Sequence, residues 1–346
     1  MQRREFFAAA AASLSSSAGA QPGGGKIRLA FIGGSHSHAL AKAKVAAASG
    51  DFELAGIFEP DGRIRAEFEA IGLRPRLLEQ ILEDRTVTAV AVESDVALHS
   101  KHALMALQAG KHVHVEKPPA VEWNEFQKLA GAARAKGLLL QTGYMWRYHP
   151  GFQKAIEAAR NGWLGEVYQL HGVMNTLLAA DRRAEWGCFR GGQMFEQGGY
   201  MADAMTRVMG RPLAVTPFLR RDGQPEDDLK DNTVAILEFP KAIGIIRAAT
   251  LQPNAMQYRA FEIQGSNGNC VLRPIEPPEL TIDLAEAAGP YPKGRHRVAL
   301  PPYERYRGDF ANFAAAIRGQ GALAVDLEQE GLTQETLLRA CGVLKG

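Results

Sequence analysis

Polar and charged side chains follow three predicted strands in the first half of the chain. Glu59 follows FELAGIF, Ser94 and His99 come shortly after VTAVAV, and Glu116 and Lys117 follow HVHV. In a doubly wound parallel sheet, ligands bind outside the carboxyl ends of the strands. A lysine there is suited to proton transfer, and a carboxylate is suited to accept hydrogen bonds from ribose hydroxyls. We therefore expect these residues to face a ligand, with Glu59, Ser94 and His99 near a cofactor.

The segment GGSHSHA follows the first predicted strand and is the candidate phosphate-binding loop. The dinucleotide fingerprint expects glycine at three positions that here hold Gly33, Ser35 and His38, so only the first matches. Gly33 allows a tight turn, and the small Ser35 leaves its N–H able to point at a phosphate. His36 and His38 are expected to face ligand or solvent. No metal is predicted there, because two histidines without a supporting carboxylate are not a typical site.

Glu59 bears on the choice of nucleotide. An acidic residue after the second strand can accept hydrogen bonds from both ribose hydroxyls of NAD, and it would repel the 2′-phosphate of NADP. The other interpretation is a helix N-terminal acid that the helix dipole favours, and both can hold together. We predict NAD as cofactor, with NADP as the alternative.

Strands and helices alternate through this half of the chain. The predicted strands are 26–32, 52–58, 87–92, 113–115 and 138–141, and the predicted helices are 39–48, 63–71, 77–82, 98–109 and 123–135. This alternation is typical of parallel pairing with right-handed crossovers. The fold class is therefore α/β, beginning with a doubly wound Rossmann domain.

Composition excludes several classes of protein. The 346 residues are 46% hydrophobic and 23% charged with a formal net charge of +2, so no field favours nucleic acid or an anionic membrane. After the N-terminus no apolar run reaches 18 residues, so no membrane span is expected. Cys188, Cys270 and Cys341 are too far apart for a C-x-x-C zinc site, although one disulfide remains open.

The N-terminus has the composition of an export signal. In MQRREFFAAAAASLSSSAGAQ, twin arginines precede a weakly apolar stretch and a small-x-small pattern before Gln21. This resembles a twin-arginine signal, which carries folded proteins to the periplasm. The alternative is an amphipathic or disordered tail. Residues 1–25 are predicted to be signal and tether.

At family level, the sequence resembles the glucose–fructose oxidoreductase / inositol dehydrogenase / MocA family. The resemblance rests on AVAVESDVALHSKHALMALQAGKHVHVEKPPAV, GYMWRYHP and GGQMFEQGGYMADA, and extends weakly to DNTVAILEF, FEIQGSNG and YRGDFANFAAAIRG. It implies a Rossmann domain, here 26–147, followed by an α/β domain with a large open, mostly antiparallel sheet, here 148–346. It also implies NAD(P)-dependent action on sugars or polyols and association into homodimers or homotetramers.

The resemblance assigns roles to matching residues. Lys117 would be the catalytic lysine and Glu116 would lie near the cofactor ribose. Arg147, Tyr148 and His149 would lie near the nicotinamide or the substrate.

One motif departs from the family pattern. Where most members have D-x-G-x-H-x-x-D, this chain has Glu196, Gly198, Tyr200 and Asp203. Some members resemble it in using tyrosine in place of the histidine. We expect Lys117 to lower the pKa of Tyr200, so that the pair takes the substrate proton while Glu196 orients them and Asp203 supports them. The alternative is that Tyr200 only packs, in a catalytically silent paralogue.

The second half predicts strands from 167 and at 233–239, 242–249 and 259–264, and helices at 150–160, 306–318 and 327–341, the last two packing back on the body. Short turns favour an antiparallel meander, and the proline-rich 274–293 is expected to run over the surface. The side chains that are candidates for stacking on a sugar are Tyr144, Trp146, Tyr168, His171 and Trp186.

Three functions follow from these features. The first is hydride transfer between a secondary alcohol of a sugar or polyol and a nicotinamide. The second is glycoside hydrolysis by transient oxidation and elimination, which resembles the reaction of some relatives. The third is a non-enzymatic sugar- or nucleotide-binding protein on an inherited fold.

Overall fold

A computed structural model describes residues 25–223 and 227–345. The predicted export signal therefore lies outside the described residues, apart from Gly25. Within these ranges, no helix has the length and apolar character needed to span a membrane. Cys188, Cys270 and Cys341 are free thiols, so the open disulfide is not formed.

The first domain is built on a five-stranded parallel sheet with the order β2-β1-β3-β4-β5. The strands are β1 (Ile27–Ile32), β2 (Phe52–Phe58), β3 (Ala89–Val92), β4 (His112–Val115) and β5 (Leu140–Thr142). All four residues of β3 are buried, as expected for a central strand covered by helices on both faces. The sheet confirms the predicted Rossmann fold.

Five helices cover this sheet, namely α1 (Ala39–Ala48), α2 (Gly62–Glu69), α3 (Leu78–Glu83), α4 (His99–Gln108) and α5 (Trp123–Lys136). A short 3-10 helix, Val96–Leu98, leads into α4. Helix α1 packs alanines against the sheet, and this small-residue face brings its backbone close to the strands. The N-terminus of α1 therefore lies at the carboxyl end of β1.

The second domain contains an eight-stranded sheet with the order β13-β12-β11-β10-β6-β9-β8-β7. The strands are β6 (Val167–Val173), β7 (Ala214–Arg220), β8 (Asn232–Glu238), β9 (Ile243–Ala249), β10 (Ala260–Gly265), β11 (Gly268–Leu272), β12 (Leu280–Leu284) and β13 (Gly294–Val298). Every pair is antiparallel except β6 with β9. The large, mostly antiparallel sheet is therefore confirmed.

Two predictions for this domain need correction. A simple meander is wrong, because β6 lies between β9 and β10 and pairs with both. Segment 274–293 is not only a surface excursion, because it contains β12, whose Leu280, Ile282 and Leu284 alternate into the core. The prolines before β12 hid this period-two pattern.

The remaining helices are α6 (Pro150–Arg160), α7 (Arg183–Gly187), α8 (Gly199–Met209), α9 (Arg307–Ile317) and α10 (Leu327–Ala340). A π-helical turn, Met194–Gly198, runs directly into α8. Helix α10 packs on α8 of the second domain and on α5 and β5 of the first. The C-terminal helices thus lie back against the body of the protein, as predicted.

Helix α10 of the second domain binds the first domain through one carboxylate. Glu330 accepts the backbone N–H of Thr142 at 3.0 Å, and it accepts two bonds from the guanidinium of Arg147, at 2.6 and 2.9 Å. Arg147 also donates from Nε to Asp203 of α8 at 3.0 Å. The guanidinium is buried, so these contacts are well screened from water and hold three elements in place.

Candidate active site

Lys117 follows β4 and lies at the carboxyl end of the parallel sheet. Its ammonium donates to Glu196 Oε1 at 2.6 Å and to the Glu196 backbone carbonyl at 3.0 Å, and both side chains are buried. An ammonium has three N–H donors. One donor of Lys117 is therefore left for a ligand, while Glu196 fixes the direction of the other two.

The π-helical turn that carries Glu196 also places Tyr200 beside Lys117. The Lys117 Nζ lies 5.6 Å from the centroid of the Tyr200 ring, and the Trp146 ring lies 4.6 Å from that centroid. The Tyr200 hydroxyl is buried and has no hydrogen-bond partner among the described residues. Since buried hydroxyls are normally bonded, this unpaired hydroxyl is able to bond a ligand. π-helical turns frequently occur at functional sites.

The pKa of Tyr200 is raised, whereas the sequence analysis expected it to be lowered. Burial raises the pKa of Tyr200 well above 10, and the nearby Glu116 carboxylate raises it further. The ammonium of Lys117 is already paired with Glu196. Tyr200 is therefore a protonated phenol at neutral pH.

Tyr200 and Glu196 line a cavity of about 390 Å³ between the two domains. Of the five predicted sugar-stacking side chains, Trp146 and Trp186 line it. Tyr144 packs edge-on behind Tyr200, with ring centroids 5.8 Å apart. The other lining residues are Ser37, His38, Met145, Met174, Thr176, Leu177, Leu178, Ala179, Arg182, Gln197, Arg259 and Arg305. Its size and its mixture of aromatic and polar groups suit a small-molecule ligand.

The two remaining stacking candidates, Tyr168 and His171, do not line this cavity. Both lie on β6, and Tyr168 is half exposed beside the strands that follow β10.

The loop after β1 turns tightly at Gly33. Gly33 has φ +80°, and a Cβ there would lie 2.3 Å from Cα of Ser94, so only glycine fits. Ser35 is exposed and His36 is half-buried at the same loop. The loop leads to the N-terminus of α1, and a helix N-terminus is suited to bind a phosphate.

Glu59 closes this loop from the end of β2. Its Oε2 accepts the Gly34 N–H at 2.7 Å and its Oε1 accepts the Asp61 N–H at 2.8 Å. Each carboxylate oxygen keeps a second lone pair, so acceptance from ribose hydroxyls remains compatible with these bonds. The donor set and the glycine cradle fit a nicotinamide dinucleotide, and the role of Glu59 in choosing it stays a prediction.

A buried network of charged side chains lies beneath the loop. Its central residue is Lys42, which the sequence analysis did not predict. Lys42 of α1 donates to Glu116 and to Glu93, the latter at 2.8 Å, and its Nζ is 2.9 Å from His114 Nε2. Burial raises the pKa of Glu93, whereas Lys42 holds the pKa of Glu116 low. The signal was available, because Lys42 lies on the same helical face as the buried alanines of α1.

Glu116, which was predicted to lie near the cofactor ribose, has its carboxylate bonded within the protein. Its side chain is fully buried, and its Oε1 lies 3.1 Å from His38 Nδ1 while Lys42 binds Oε2. His36, His38 and Glu116 bring possible ligand atoms within 4.8 Å of one another. Because the Glu116 charge is already neutralised by Lys42, this cluster is a poor site for a divalent cation.

His99 and Arg147 were predicted to contact the cofactor, but the structure shows their polar groups bonded within the protein. The ring nitrogens of His99 lie 2.8 Å from the Pro118 carbonyl and 2.9 Å from the Ser94 carbonyl, and the ring is buried. His99 thus positions the Lys117 loop. The guanidinium of Arg147 forms buried ion pairs with Asp203 and Glu330, so it acts as a structural clamp. Asp203 supports this clamp rather than Lys117.

Ser94, Tyr148 and His149 also make structural contacts. Ser94 Oγ bonds His102 Nδ1 at 3.0 Å, although its backbone lies against Gly33. The Tyr148 hydroxyl donates to Asn312 at 2.8 Å. His149 is the N-cap of α6 and contacts the Ile275 carbonyl at 3.0 Å. None of these three side chains lines the cavity of Tyr200.

Three cavity arginines, Arg182, Arg259 and Arg305, were not predicted. They come from three separate segments, after β6, before β10 and before α9. No local motif links them, so only the tertiary fold brings them together.

Two family profiles match the chain. The profile described as an oxidoreductase family with an NAD-binding Rossmann fold matches residues 27–144. That of the GFO/IDH/MocA C-terminal domain matches residues 152–271. The 1,5-anhydro-D-fructose reductase of Ensifer adhaerens is 24% identical over 267 residues, which cover 75% of this chain and 78% of that protein.

Solved structures share the fold. The UDP-N-acetylglucosamine 3-dehydrogenase of Acidithiobacillus ferrooxidans superposes with a TM-score of 0.77 at 20% identity, covering 92% of this chain and 98% of that one. A protein of gentamicin A biosynthesis in complex with NAD superposes with a TM-score of 0.77 at 23% identity, covering 94% and 97%. At these identities the likeness establishes the fold.

Proposed function

Because the chain belongs to the GFO/IDH/MocA family of sugar and polyol oxidoreductases, we propose that it transfers a hydride between a secondary alcohol carbon of a carbohydrate and a nicotinamide cofactor. The observation that carries this proposal is the orphaned hydroxyl of Tyr200, beside an ammonium that Glu196 holds in a fixed direction. Tyr200 and Glu196 line one cavity between the domains, and Lys117 lies directly behind them, bonded to Glu196.

Tyr200 is the proton donor in this proposal. Its raised pKa makes the protonated phenol the resting form, and a protonated phenol donates to the oxygen of a sugar carbonyl. No described residue competes for the hydroxyl. The site is therefore better suited to reduction of a carbonyl than to oxidation of an alcohol at neutral pH.

Lys117 acts at the same oxygen. Its third N–H is the one that Glu196 leaves free, and a cation there stabilises negative charge that develops on the oxygen during reduction. Glu196 is a positioning residue, because it fixes the Lys117 ammonium through its carboxylate and its backbone carbonyl. Trp146 and Trp186 exclude water and offer flat faces to a sugar ring.

The Gly33 loop and Glu59 would hold the dinucleotide, with NAD as the proposed form and NADP as the alternative. When bound, the nicotinamide supplies or accepts the hydride. Glu59 would accept from the ribose and disfavour a 2′-phosphate through its charge.

The first test is mass spectrometry of nucleotide released by denaturing the protein after purification without added cofactor. A stoichiometric NAD or NADP peak supports the proposal and names the form. If the protein is empty, titration of each nucleotide with intrinsic fluorescence as readout takes its place. Failure to bind either nucleotide would contradict the proposal and would favour a non-enzymatic binding protein.

The second test follows reduced nicotinamide by its absorbance over a panel of sugars, polyols and keto-sugars. Substrate-dependent change in the reduced nicotinamide supports hydride transfer. Release of a reducing sugar from a glycoside with no net change would instead indicate oxidation followed by elimination.

The twin arginines at positions 3 and 4 support export in the folded state as a further part of the proposal. Replacing both with lysine should leave the protein in the cytoplasm of a host that has the twin-arginine pathway. Periplasmic protein from that variant would contradict it.

Association into a homodimer or homotetramer is also proposed. Strand register puts Phe218, Val234, Ile236, Ile243 and Ile245 on one face of the large sheet, and all five are at least partly exposed. Such a contiguous apolar stripe is typical of an interface between subunits. Light scattering of the purified protein measures the mass directly, and a monomer would contradict the proposal.

A further inference from the structure

We propose that the substrate carries a negatively charged group, a carboxylate or a phosphate, and that Arg259 binds it. This inference rests on the proposed function, since it names the chemical class of sugar that the same cavity takes. It starts from the charges that line the cavity. Three arginines face it, whereas Glu196 is the one carboxylate among its described lining residues, and that charge is already paired with Lys117.

Two of the three arginines are compensated outside the cavity. Arg305 makes a two-point ion pair with Glu276, and Arg182 bonds Glu185 at 3.2 Å on the surface. Arg259 differs from both. Within residues 25–223 and 227–345 it has no carboxylate within ion-pair distance, although Glu276 lies near enough to act on it through space. A half-buried guanidinium without a counter-ion is unfavourable unless a ligand supplies the charge.

The backbone holds Arg259 ready for such a ligand. Its Nε donates to the Asn175 carbonyl at 2.9 Å. Asn175 is itself fixed, because its side chain donates to Gln252 at 2.6 Å and accepts the Ala249 N–H at 2.9 Å. With Nε held, the two terminal nitrogens of Arg259 remain as a planar fork. That fork matches the two oxygens of a carboxylate or a phosphate.

Arg259 lies in the same cavity as Tyr200, the proposed proton donor. Arg305 lines this cavity too. Because Arg305 is already paired with Glu276, the uncompensated charge in this cavity is that of Arg259, and it favours an anion there. A ligand anion here would sit on the same sugar as the carbon that reacts.

The experiment compares matched pairs of neutral and acidic sugars. Quenching of tryptophan fluorescence measures dissociation constants for D-glucose and D-glucuronate, D-galactose and D-galacturonate, and D-glucose and D-glucose 6-phosphate. Trp146 and Trp186 line the cavity, so they report occupancy without turnover. We expect at least one acidic member to bind about 30-fold or more tightly than its neutral partner, and added salt to weaken that preference. A preferred hexuronate identifies a carboxylate ligand, and a preferred sugar phosphate identifies a phosphate.

Variants then assign the preference to Arg259. Arg259→Gln should remove most of the ratio between acidic and neutral sugar, and Arg259→Lys should restore part of it because the charge returns without the fork. Arg273→Gln is the matched control. It removes one positive charge from an exposed arginine of the same domain that stacks on Tyr258 outside the cavity, so the ratio should be kept.

Two results would overturn the inference. If no acidic sugar binds more tightly than its neutral partner in any pair, the ligand is not recognised by charge. If Arg259→Gln weakens both members of a pair equally and shifts the pH profile of turnover, Arg259 acts on Tyr200 instead. Either result leaves hydride transfer to neutral sugars intact. Conversely, tight binding of an acidic sugar without any change in the reduced nicotinamide would contradict the proposed function alone.

Discussion

The ammonium of Lys117 and the carboxylate of Glu196 form a buried ion pair of 2.6 Å that joins the carboxyl end of β4 to the π-helical turn ahead of α8. The pair crosses between the two domains. Each partner comes from a segment that also approaches Tyr200. The catalytic geometry in our proposal therefore depends on this contact between the two domains.

Removing the ammonium should abolish most turnover. Lys117→Met is expected to lower kcat by about 10²–10⁴-fold, because a positioned proton donor or cation contributes that much. Steady-state kinetics measures it. The double variant Lys117→Met/Glu196→Gln is the control for the buried carboxylate left unpaired, and it should unfold at a temperature closer to the parent. Turnover within a few fold of the parent in Lys117→Met would show that the lysine is structural.

Replacing Tyr200 separates chemistry from packing. Tyr200→Phe should lower the rate of carbonyl reduction by a factor of the same size, about 10²–10⁴. It should leave the unfolding free energy equal or slightly higher, since it removes a buried hydroxyl that has no partner in the described part of the chain.

Tyr200→His complements that test. Histidine titrates near 6.5, so the variant should regain part of the rate with a pH dependence in the neutral range that the parent lacks. The rates of the variant and of the parent, measured over the neutral pH range, test this prediction. Full activity in Tyr200→Phe would remove Tyr200 from the proposed chemistry.

Glu59 should set the preference between the two nucleotides. Glu59→Gln keeps an oxygen for the Gly34 N–H but loses the charge, so binding of NADP relative to NAD should rise about tenfold, or ~1.4 kcal/mol. Fluorescence titration with both nucleotides gives the ratio. Glu53→Gln, on an exposed position near the start of the same strand, should leave the ratio unchanged. An equal ratio in the Glu59 variant would mean that the carboxylate serves only the loop.

Asp309 should make the protein less stable as the pH rises. Both carboxylate oxygens are buried without a hydrogen-bond partner among the described residues, and burial raises the pKa of Asp309 from 3.8 to about 6. A group whose pKa is higher in the folded state stabilises it at low pH, and that contribution is lost as the pH rises from about 4 through 6. The loss is on the order of 3 kcal/mol by pH 7.

Urea unfolding of the parent and of Asp309→Asn at pH 4 and pH 7 tests this. The variant does not titrate, so its unfolding free energy should fall less between the two pH values, or rise more, than that of the parent. Identical pH dependence in both proteins would show that Asp309 is ionised without cost.

The sequence predicted the first sheet best, because its pattern of apolar runs and helical segments is compatible with few other folds. Alternating apolar runs and helical segments predicted all five parallel strands, since a buried central strand such as AVAV has few other environments. The order of the second sheet was harder. Nothing local to β6 records that it pairs with β9 and β10, because that pairing depends on strands about 70–90 residues away.

For the candidate site too, residues marked by a local motif were predicted, and residues that depend on distant partners were not. Lys117 and Gly33 are recognisable from the segments that carry them, and both lie where the parallel sheet ends. The ion pair of Arg147 could not be predicted, because its sequence context does not reveal Glu330, more than 180 residues later. Arg259 was missed because no local motif links it to the other residues of the cavity.

The bonds from Glu330 of α10 to Thr142 and Arg147 of the first domain bear on how ligands would enter and leave. Separation of the two domains would deprive a buried carboxylate of the Thr142 amide and of Arg147, at a cost of about 3–5 kcal/mol. In our proposal, sugar and nucleotide would therefore exchange without separation of the domains.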